Sequence, residues 1–121
     1  YTLLHYGEFW VGLEGARLLV ERAARQLDQA WRQGEALTAD ERGELAISIA
    51  TAKVATNQVG LELTSRMFDV TGARATSAAL RLDRFWRNLR THSLHDPVDY
   101  KLQELGDWAL NDAYPKPSFY S

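Results

Sequence analysis

The fold of this chain is decided by the stretch LAISIATAKVATNQVGLELTSRMF, residues 45–68, which is apolar on two sides of one helix. The first side carries six residues at helical spacing, namely Leu45, Ile49, Ala52, Val59, Leu63 and Met67. The second side carries four residues at seven-residue spacing, namely Ile47, Val54, Leu61 and Phe68. A helix that is apolar on two sides must be covered on two sides. We therefore expect this segment to be the central helix of a helical domain, or to bury its second stripe against another subunit.

The residues that precede this stretch predict a helical hairpin. The first 96 residues contain no proline, so nothing interrupts long helices there. Apolar residues three and four apart predict a first helix over residues 6–33, and Gly34 follows where a helix-ending glycine belongs. Thr38 and Glu41 have the spacing of a capping box, in which each side chain accepts a hydrogen bond from the backbone N–H of the other residue. A second helix over residues 39–70 is expected to follow.

The remaining sequence predicts two shorter helices and a tail. A third helix is expected over residues 75–92. Asp96 and Pro97 predict the start of a fourth helix over residues 97–113, because Asp is a good N-cap and Pro fits the first helical turn. Residues 114–121 contain two prolines and are expected to be extended on the surface. Since no strand pattern competes, the sequence predicts an all-α, up-down four-helix bundle.

The composition of the chain excludes several kinds of site and makes several functions improbable. A length of 121 residues indicates one domain, and the absence of cysteine excludes disulfides, thiolate metal sites and thiol catalysis. The net charge of −2 is not that of a protein whose whole surface binds nucleic acid. No apolar run is long enough to span a bilayer. The amino end has neither a starting Met nor a signal-peptide layout, so we interpret the chain as a fragment of a longer protein, and the absence of cysteine is compatible with the reducing cytoplasm.

A first candidate site is the turn Gly72-Ala73-Arg74, which leads into a predicted helix. Glycine lets a ligand approach the backbone, free N–H groups at a helix start attract anions, and a guanidinium adds charge and two parallel donors. This turn could therefore cradle an anion. Alternatively, it is a connection between two helices that carries a solvated arginine.

A second candidate site is the pair His92 and His95, three residues apart near the end of the predicted third helix. A metal site needs at least one more ligand, and His5 is the only other histidine, so we predict no metal here. Imidazole groups can instead donate or accept a proton near neutral pH. The alternative is that both histidines interact with the negative end of the helix dipole.

The stretch LDRFWRNLRTHSLHDPVDYK, residues 82–101, resembles the C-terminal helical domain of flavin-dependent monooxygenases that share the acyl-CoA dehydrogenase fold. The dibenzothiophene monooxygenase group is the nearest. The core RNLRTHSLHDP, residues 87–97, carries most of the resemblance, and weaker similarity extends over the whole chain.

This resemblance implies a larger enzyme that contains an N-terminal helical domain, a middle β-domain and this C-terminal bundle. The bundles would assemble the protein as a dimer or tetramer. The cofactor would be reduced FMN, or FAD as in some relatives, supplied by a separate flavin reductase. Oxygen activated by the flavin would be transferred to a small sulfur-containing or aromatic substrate. The isolated chain is expected to be inactive.

The resemblance also implies roles for both candidate sites. The turn Gly72-Ala73-Arg74 would reach the phosphate of a flavin that is bound mainly by another subunit. The segment that contains His92 and His95 would lie beside the isoalloxazine ring, where His95 would contact the oxygen-carrying flavin or the substrate. With this resemblance, the anion-cradle interpretation of the turn is favoured.

Two other functions are kept as alternatives. Many acyl-CoA dehydrogenases place a catalytic Glu after the third helix, whereas the stretch Thr91–Asp96 contains Asp96 as its only carboxylate, in a position typical of a helix cap. That difference argues against a dehydrogenase. A free-standing helical interaction module would use the second apolar stripe of the second helix as its binding surface.

Overall fold

A computed structural model describes residues 1–120, and every regular element in that range is helical. Four α-helices follow one another, α1 over Thr2–Gln33, α2 over Ala39–Thr71, α3 over Asp83–His95 and α4 over Val98–Asn111. The predicted all-α, four-helix fold is confirmed. No helix in the described range is long and apolar enough to cross a membrane.

The α1–α2 connection follows the predicted local signals. Gly34 ends α1 at a φ of 54°, a left-handed conformation that glycine adopts without steric cost. At the start of α2, the Thr38 N–H donates to Glu41 Oε2 at 2.9 Å, and the Glu41 N–H donates to Thr38 Oγ1 at 3.2 Å. The predicted capping box is therefore confirmed. The bond from the Thr38 backbone, followed by bonds from the Gln33 and Thr38 side chains, lowers the pKa of the Glu41 carboxyl below its ordinary value.

The position of α2 shows what covers its two apolar stripes. This helix packs against α1 on one side and against α3 and α4 on the other. Ile47 and Val54 of the second stripe expose only 6% and 7% of their surface, and Leu61 and Phe68 are half-buried. The interpretation of α2 as the central helix is confirmed, and at Ile47 and Val54 the chain covers the second stripe without another subunit.

Both short helices run antiparallel to α2, one after the other. Three close approaches establish this order, Gly60 with Leu89, Lys53 with Asp96, and Gly43 with Tyr114. As the chain advances through α3 and α4, its partners move back along α2. The predicted up-down alternation holds from α1 to α3, but α4 continues in the direction of α3, and the sequence pattern did not predict this end-to-end arrangement.

The third helix begins at Asp83, later than the predicted start at residue 75. Gly72 ends α2 at a φ of 80°, and a short 3-10 helix follows over Ala73–Thr76. Arg81 then adopts a φ of 52°, a left-handed conformation that is incompatible with a continuous α-helix. The segment predicted as the first half of a helix is therefore a folded connection.

The predicted role of Asp96 as the N-cap of the fourth helix is wrong. The N-cap position of α4 is Pro97, and it makes no side-chain cap hydrogen bond. The Asp96 carboxylate instead accepts a hydrogen bond from Lys53 of α2 at 2.6 Å. Asp96 therefore ties the α3–α4 turn to the central helix.

The predicted extended tail contacts the helices at Tyr114 and Tyr120, while residues 116–120 are exposed. The Tyr114 ring lies over Gly43, and burial followed by the nearby Glu44 carboxylate raises the pKa of the Tyr114 hydroxyl. Farther along, the Tyr120 carbonyl accepts a hydrogen bond from Lys101. No helix or strand forms between residues 114 and 120, and Ser121 lies outside the described residues.

Candidate functional site

The two candidate histidines lie in the last turn of α3 and are both exposed. Between them, Ser93 is buried and donates a hydrogen bond to the Arg90 carbonyl at 2.8 Å. Ser93 therefore faces the protein, while His92 and His95 are accessible to a ligand or to another part of a larger protein.

His95 borders an open cleft of about 450 Å³ at the α3–α4 turn. The other residues that line this cleft come from the turn, α4 and the tail, namely Asp96, Pro97, Tyr100, Lys101, Gln103, Glu104 and Tyr120. The cleft combines an imidazole with aromatic and charged side chains. It can therefore hold a small polar or aromatic molecule against His95.

A polar network holds the turn beside this cleft. Lys53 donates hydrogen bonds to the Asp96 carbonyl at 2.7 Å and to Asp96 Oδ2 at 2.6 Å. The Lys53 and Asp96 side chains expose only 17% and 20% of their surface. Lys101 of α4 lies 3.9 Å from the same Oδ2 atom and 3.2 Å from Glu104 Oε2.

Our sequence reasoning missed Lys53. A signal was present, because Lys53 is the only charged residue between Glu44 and Glu62 in an otherwise apolar and small-residue segment. A charge at such a position is rarely buried without a partner. The partner itself is 43 residues away in sequence, so the spacing within α2 could not identify it.

The turn Gly72-Ala73-Arg74 has the donors that an anion requires. Within residues 1–120, the backbone N–H groups of Ala73 and Arg74 have no hydrogen-bond acceptor, and the exposed Arg74 guanidinium has no ion-pair partner. Apart from the adjoining residues, no atom lies within 4 Å of the position that a Cβ atom would take at Gly72. This donor set fits a phosphate group.

The two candidate sites are far apart within one chain. The His95 turn is held at Lys53, whereas the Gly72 turn follows the end of α2. Positions 53 and 72 differ by 19 residues, which corresponds to roughly 28 Å along a helix. One chain therefore does not bring its Arg74 and His95 together around one small cofactor.

The third histidine belongs to a different environment. His5 lies 2.8 Å from Arg66, which also pairs with Glu8 at 2.6 Å on the α1–α2 surface. In the part of the chain that the structure describes, no group of three or more metal-ligating side chains could hold a metal ion.

Comparison with known proteins identifies the class. Residues 1–100 match the model of the family described as acyl-CoA dehydrogenase, C-terminal domain. The match covers most of the chain, and the chain belongs to this family.

Relatives that match the whole chain are monooxygenases, which confirms the resemblance seen at residues 82–101. The probable FMNH2-dependent monooxygenase SfnC of Pseudomonas putida is 69% identical and matches 100% of this chain with 31% of its own length. The structure of the methanesulfinate monooxygenase MsuC from Pseudomonas fluorescens has a TM-score of 0.97 at 69% identity, covering 100% of this chain and 31% of its own.

The FMN-bound structure of TdsC from Paenibacillus sp. A11-2, a dibenzothiophene monooxygenase, has a TM-score of 0.95 at 43% identity. It covers 100% of this chain and 30% of its own. The chain thus spans about a third of the length of each of these relatives.

Proposed function

We propose that this chain is the C-terminal domain of a longer, two-component, FMN-dependent monooxygenase that oxygenates a small organosulfur compound. The observation that carries the proposal is the match of the whole chain to a probable FMNH2-dependent monooxygenase at 69% identity. Reduced FMN from a separate reductase would activate O2, so that one oxygen atom enters the substrate and the other leaves as water.

The α3–α4 turn supports oxygenation over acyl-CoA dehydrogenation. A dehydrogenase needs a free carboxylate to remove a proton from carbon. Asp96 is the only carboxylate in the stretch Thr91–Asp96, and it is bonded to Lys53 at 2.6 Å. The exposed His92 and His95 can instead hold and move a proton at the oxygen that is transferred.

The Gly72 turn is proposed to bind the FMN phosphate. The free N–H groups of Ala73 and Arg74 and the unpaired Arg74 guanidinium supply the donors, and Gly72 leaves room for the phosphate. The separation of roughly 28 Å from the His95 turn, longer than an FMN molecule, implies that the phosphate and the reacting ring contact different subunits.

We further propose that the protein is a cytoplasmic homo-oligomer, either a dimer or a tetramer. Several large apolar side chains of α1 are exposed in the single chain, namely Leu3, Leu4, Trp10, Val11, Leu18 and Trp31. An exposed apolar surface of this extent marks an interaction site. It is available to other copies of the chain and to the other domains of the enzyme.

Methanesulfinate is the first substrate to test, because the methanesulfinate monooxygenase shares 69% identity with this chain, whereas the dibenzothiophene monooxygenase TdsC shares 43%. The experiment combines the full-length protein, a flavin reductase with its reductant, FMN, O2 and either methanesulfinate or dibenzothiophene. We expect methanesulfonate to form only when protein, FMN and O2 are all present. Oxidation of an acyl-CoA without O2 consumption would instead identify a dehydrogenase.

A further inference from the structure

The ammonium group of Lys53 bonds the residue that directly follows His95. We propose that Lys53 is a positioning residue, which keeps the His95 imidazole in place by tying the α3–α4 turn to α2. The inference rests on the proposed function, because it uses the assignment of His95 to the reaction site. Lys53 acts through Asp96 and contacts neither FMN nor substrate.

The contact restrains the main chain and not only a side chain. Lys53 Nζ donates to the backbone carbonyl of Asp96 at 2.7 Å and to its carboxylate at 2.6 Å. Two bonds to one residue fix both its position and its orientation. Because His95 is covalently attached to Asp96, its backbone is restrained as well.

The end of α3 needs such a restraint. The other three helices end with a backbone hydrogen bond from the cap residue, from Gly34 to Ala30, from Gly72 to Phe68 and from Asp112 to Trp108. Among the described residues, the Asp96 N–H at the end of α3 makes no such bond. A helix end without a cap frays. Lys53 does not supply this missing bond, but its bond to the Asp96 carbonyl holds the residue at which α3 ends.

The surroundings of Lys53 favour a strong contact. The adjacent residues Ala52 and Val54 are buried, and the Lys53–Asp96 pair is itself mostly covered. Charges interact more strongly where water is largely excluded. Removing the Lys53 ammonium group leaves the Asp96 carboxylate with only the more distant Lys101 cation, at 3.9 Å. The turn should therefore respond strongly to the loss of the Lys53 ammonium group.

Lys101 holds the same turn from the other side. It lies 3.9 Å from Asp96 Oδ2, and its charge is also balanced by Glu104 at 3.2 Å. Lys101 belongs to α4, which follows the turn directly, so its contact with Asp96 does not join the turn directly to α2. Within residues 1–120, Lys53 makes the only ion pair between α2 and this turn.

The test uses three variants of the full-length protein. Lys53→Met removes the ammonium group and keeps a long unbranched side chain, and Lys53→Arg keeps a cation that can donate to both acceptors. Arg66→Met is the matched control, because Arg66 is also on α2 and pairs with Glu8 of α1, away from the turn. Two properties are measured, amide hydrogen exchange in peptides that cover residues 90–100, and the yield of methanesulfonate per reduced FMN consumed.

We expect Lys53→Met to accelerate exchange in residues 90–100 and to lower the product yield by about tenfold to a hundredfold, since small displacements of a reacting group have effects of this size. Hydrogen peroxide should replace the lost product, while FMN affinity and exchange in α1 stay unchanged. Lys53→Arg should restore most of the yield. Arg66→Met should match the wild-type protein in residues 90–100 and in yield.

Wild-type exchange and yield in Lys53→Met would overturn the inference. An equal loss of yield in Arg66→Met would also overturn it, because the effect would then reflect general weakening of α2. If Lys53→Met does not fold, Asp96→Asn decides, since it removes the charged acceptor and keeps the carbonyl. Faster exchange in Asp96→Asn supports the anchor, and unchanged exchange overturns it. No product from the wild-type protein would instead refute the proposed function and the role of His95, while faster exchange in Lys53→Met would still support the anchor.

Discussion

The packing of Tyr114 on Gly43 makes Gly43→Ala an informative perturbation of the tail. An added methyl group would lie 2.4, 2.7 and 2.8 Å from Cγ, Cδ1 and Cδ2 of the Tyr114 ring. Carbon atoms in favourable contact are about 3.5–4.0 Å apart. Because α2 is held between α1 on one side and α3 and α4 on the other, the ring and the tail must move rather than the helix.

Two opposing effects set the magnitude. Replacing glycine with alanine inside a helix stabilises it by about 0.5–1 kcal/mol. Inserting a methyl group into a packed contact costs about 1–3 kcal/mol. The methyl group at Gly43 meets the ring carbons nearest to the backbone, which cannot rotate away independently, so the cost should exceed the gain. We expect a net destabilisation of about 1 kcal/mol, given by the difference of these two effects.

The measurement is the free energy of unfolding from urea titration of the full-length protein, together with hydrogen exchange in the tail. Gly106→Ala is the matched control, since Gly106 is also inside a helix but an added methyl group there would meet no atom within 4 Å apart from its own stretch of helix. Gly106→Ala should stabilise the protein by about 0.5–1 kcal/mol. The reasoning is refuted if Gly43→Ala stabilises the protein equally and leaves exchange in residues 113–120 unchanged.

Three further predictions concern the candidate sites and the helix cap. Arg74→Ala should weaken FMN binding by about 1–3 kcal/mol, the value of a charge-assisted hydrogen-bonded pair. The control Arg87→Ala removes an exposed ion pair with Asp83 and should leave FMN binding unchanged. If fluorescence titration gives the same FMN affinity for Arg74→Ala and the wild-type protein, Arg74 is only a turn residue. Thr38→Ala should cost about 1 kcal/mol in urea unfolding. The pKa of Glu41 is lowered in the folded state, so the Glu41 carboxylate stabilises the fold above its unfolded pKa, and this stabilisation is lost as the pH falls through the folded pKa. The destabilisation caused by Thr38→Ala should therefore become smaller in acid. A destabilisation independent of pH would contradict this reasoning. His95→Ala should lower the product yield about a hundredfold to ten-thousandfold, while FMN binding stays unchanged and hydrogen peroxide forms in place of product. An unchanged product yield would remove His95 from the mechanism.

Features set by neighbouring residues could be predicted from the sequence. The capping box depends on Thr38 and Glu41, three residues apart, and the end of α1 depends on Gly34 alone. The apolar stripes of α2 repeat within one helix, so they predicted a helix covered on two sides. Each of these predictions needs only the local backbone geometry.

Two features of the chain could not be predicted from local patterns. The segment after Gly72 contains residues that form helices well, yet Arg81 adopts a left-handed conformation and delays α3 to Asp83. Asp96 has the sequence signature of an N-cap, but its carboxylate is bonded by Lys53, which is 43 residues away. At Asp96 the contact with Lys53 overrides the local preference.

The same central helix that stabilises the domain also sets the geometry of the proposed active site. From Lys53 to Thr71, α2 is one unbroken helix without proline, so the His95 turn and the Gly72 turn cannot approach each other by bending. If one FMN molecule must contact both a phosphate cradle and His95, then two chains must each contribute one of them. Dissociation of the oligomer should therefore abolish product formation even where each chain stays folded. Activity retained by a folded monomer would show that one of the two candidate sites does not contact FMN.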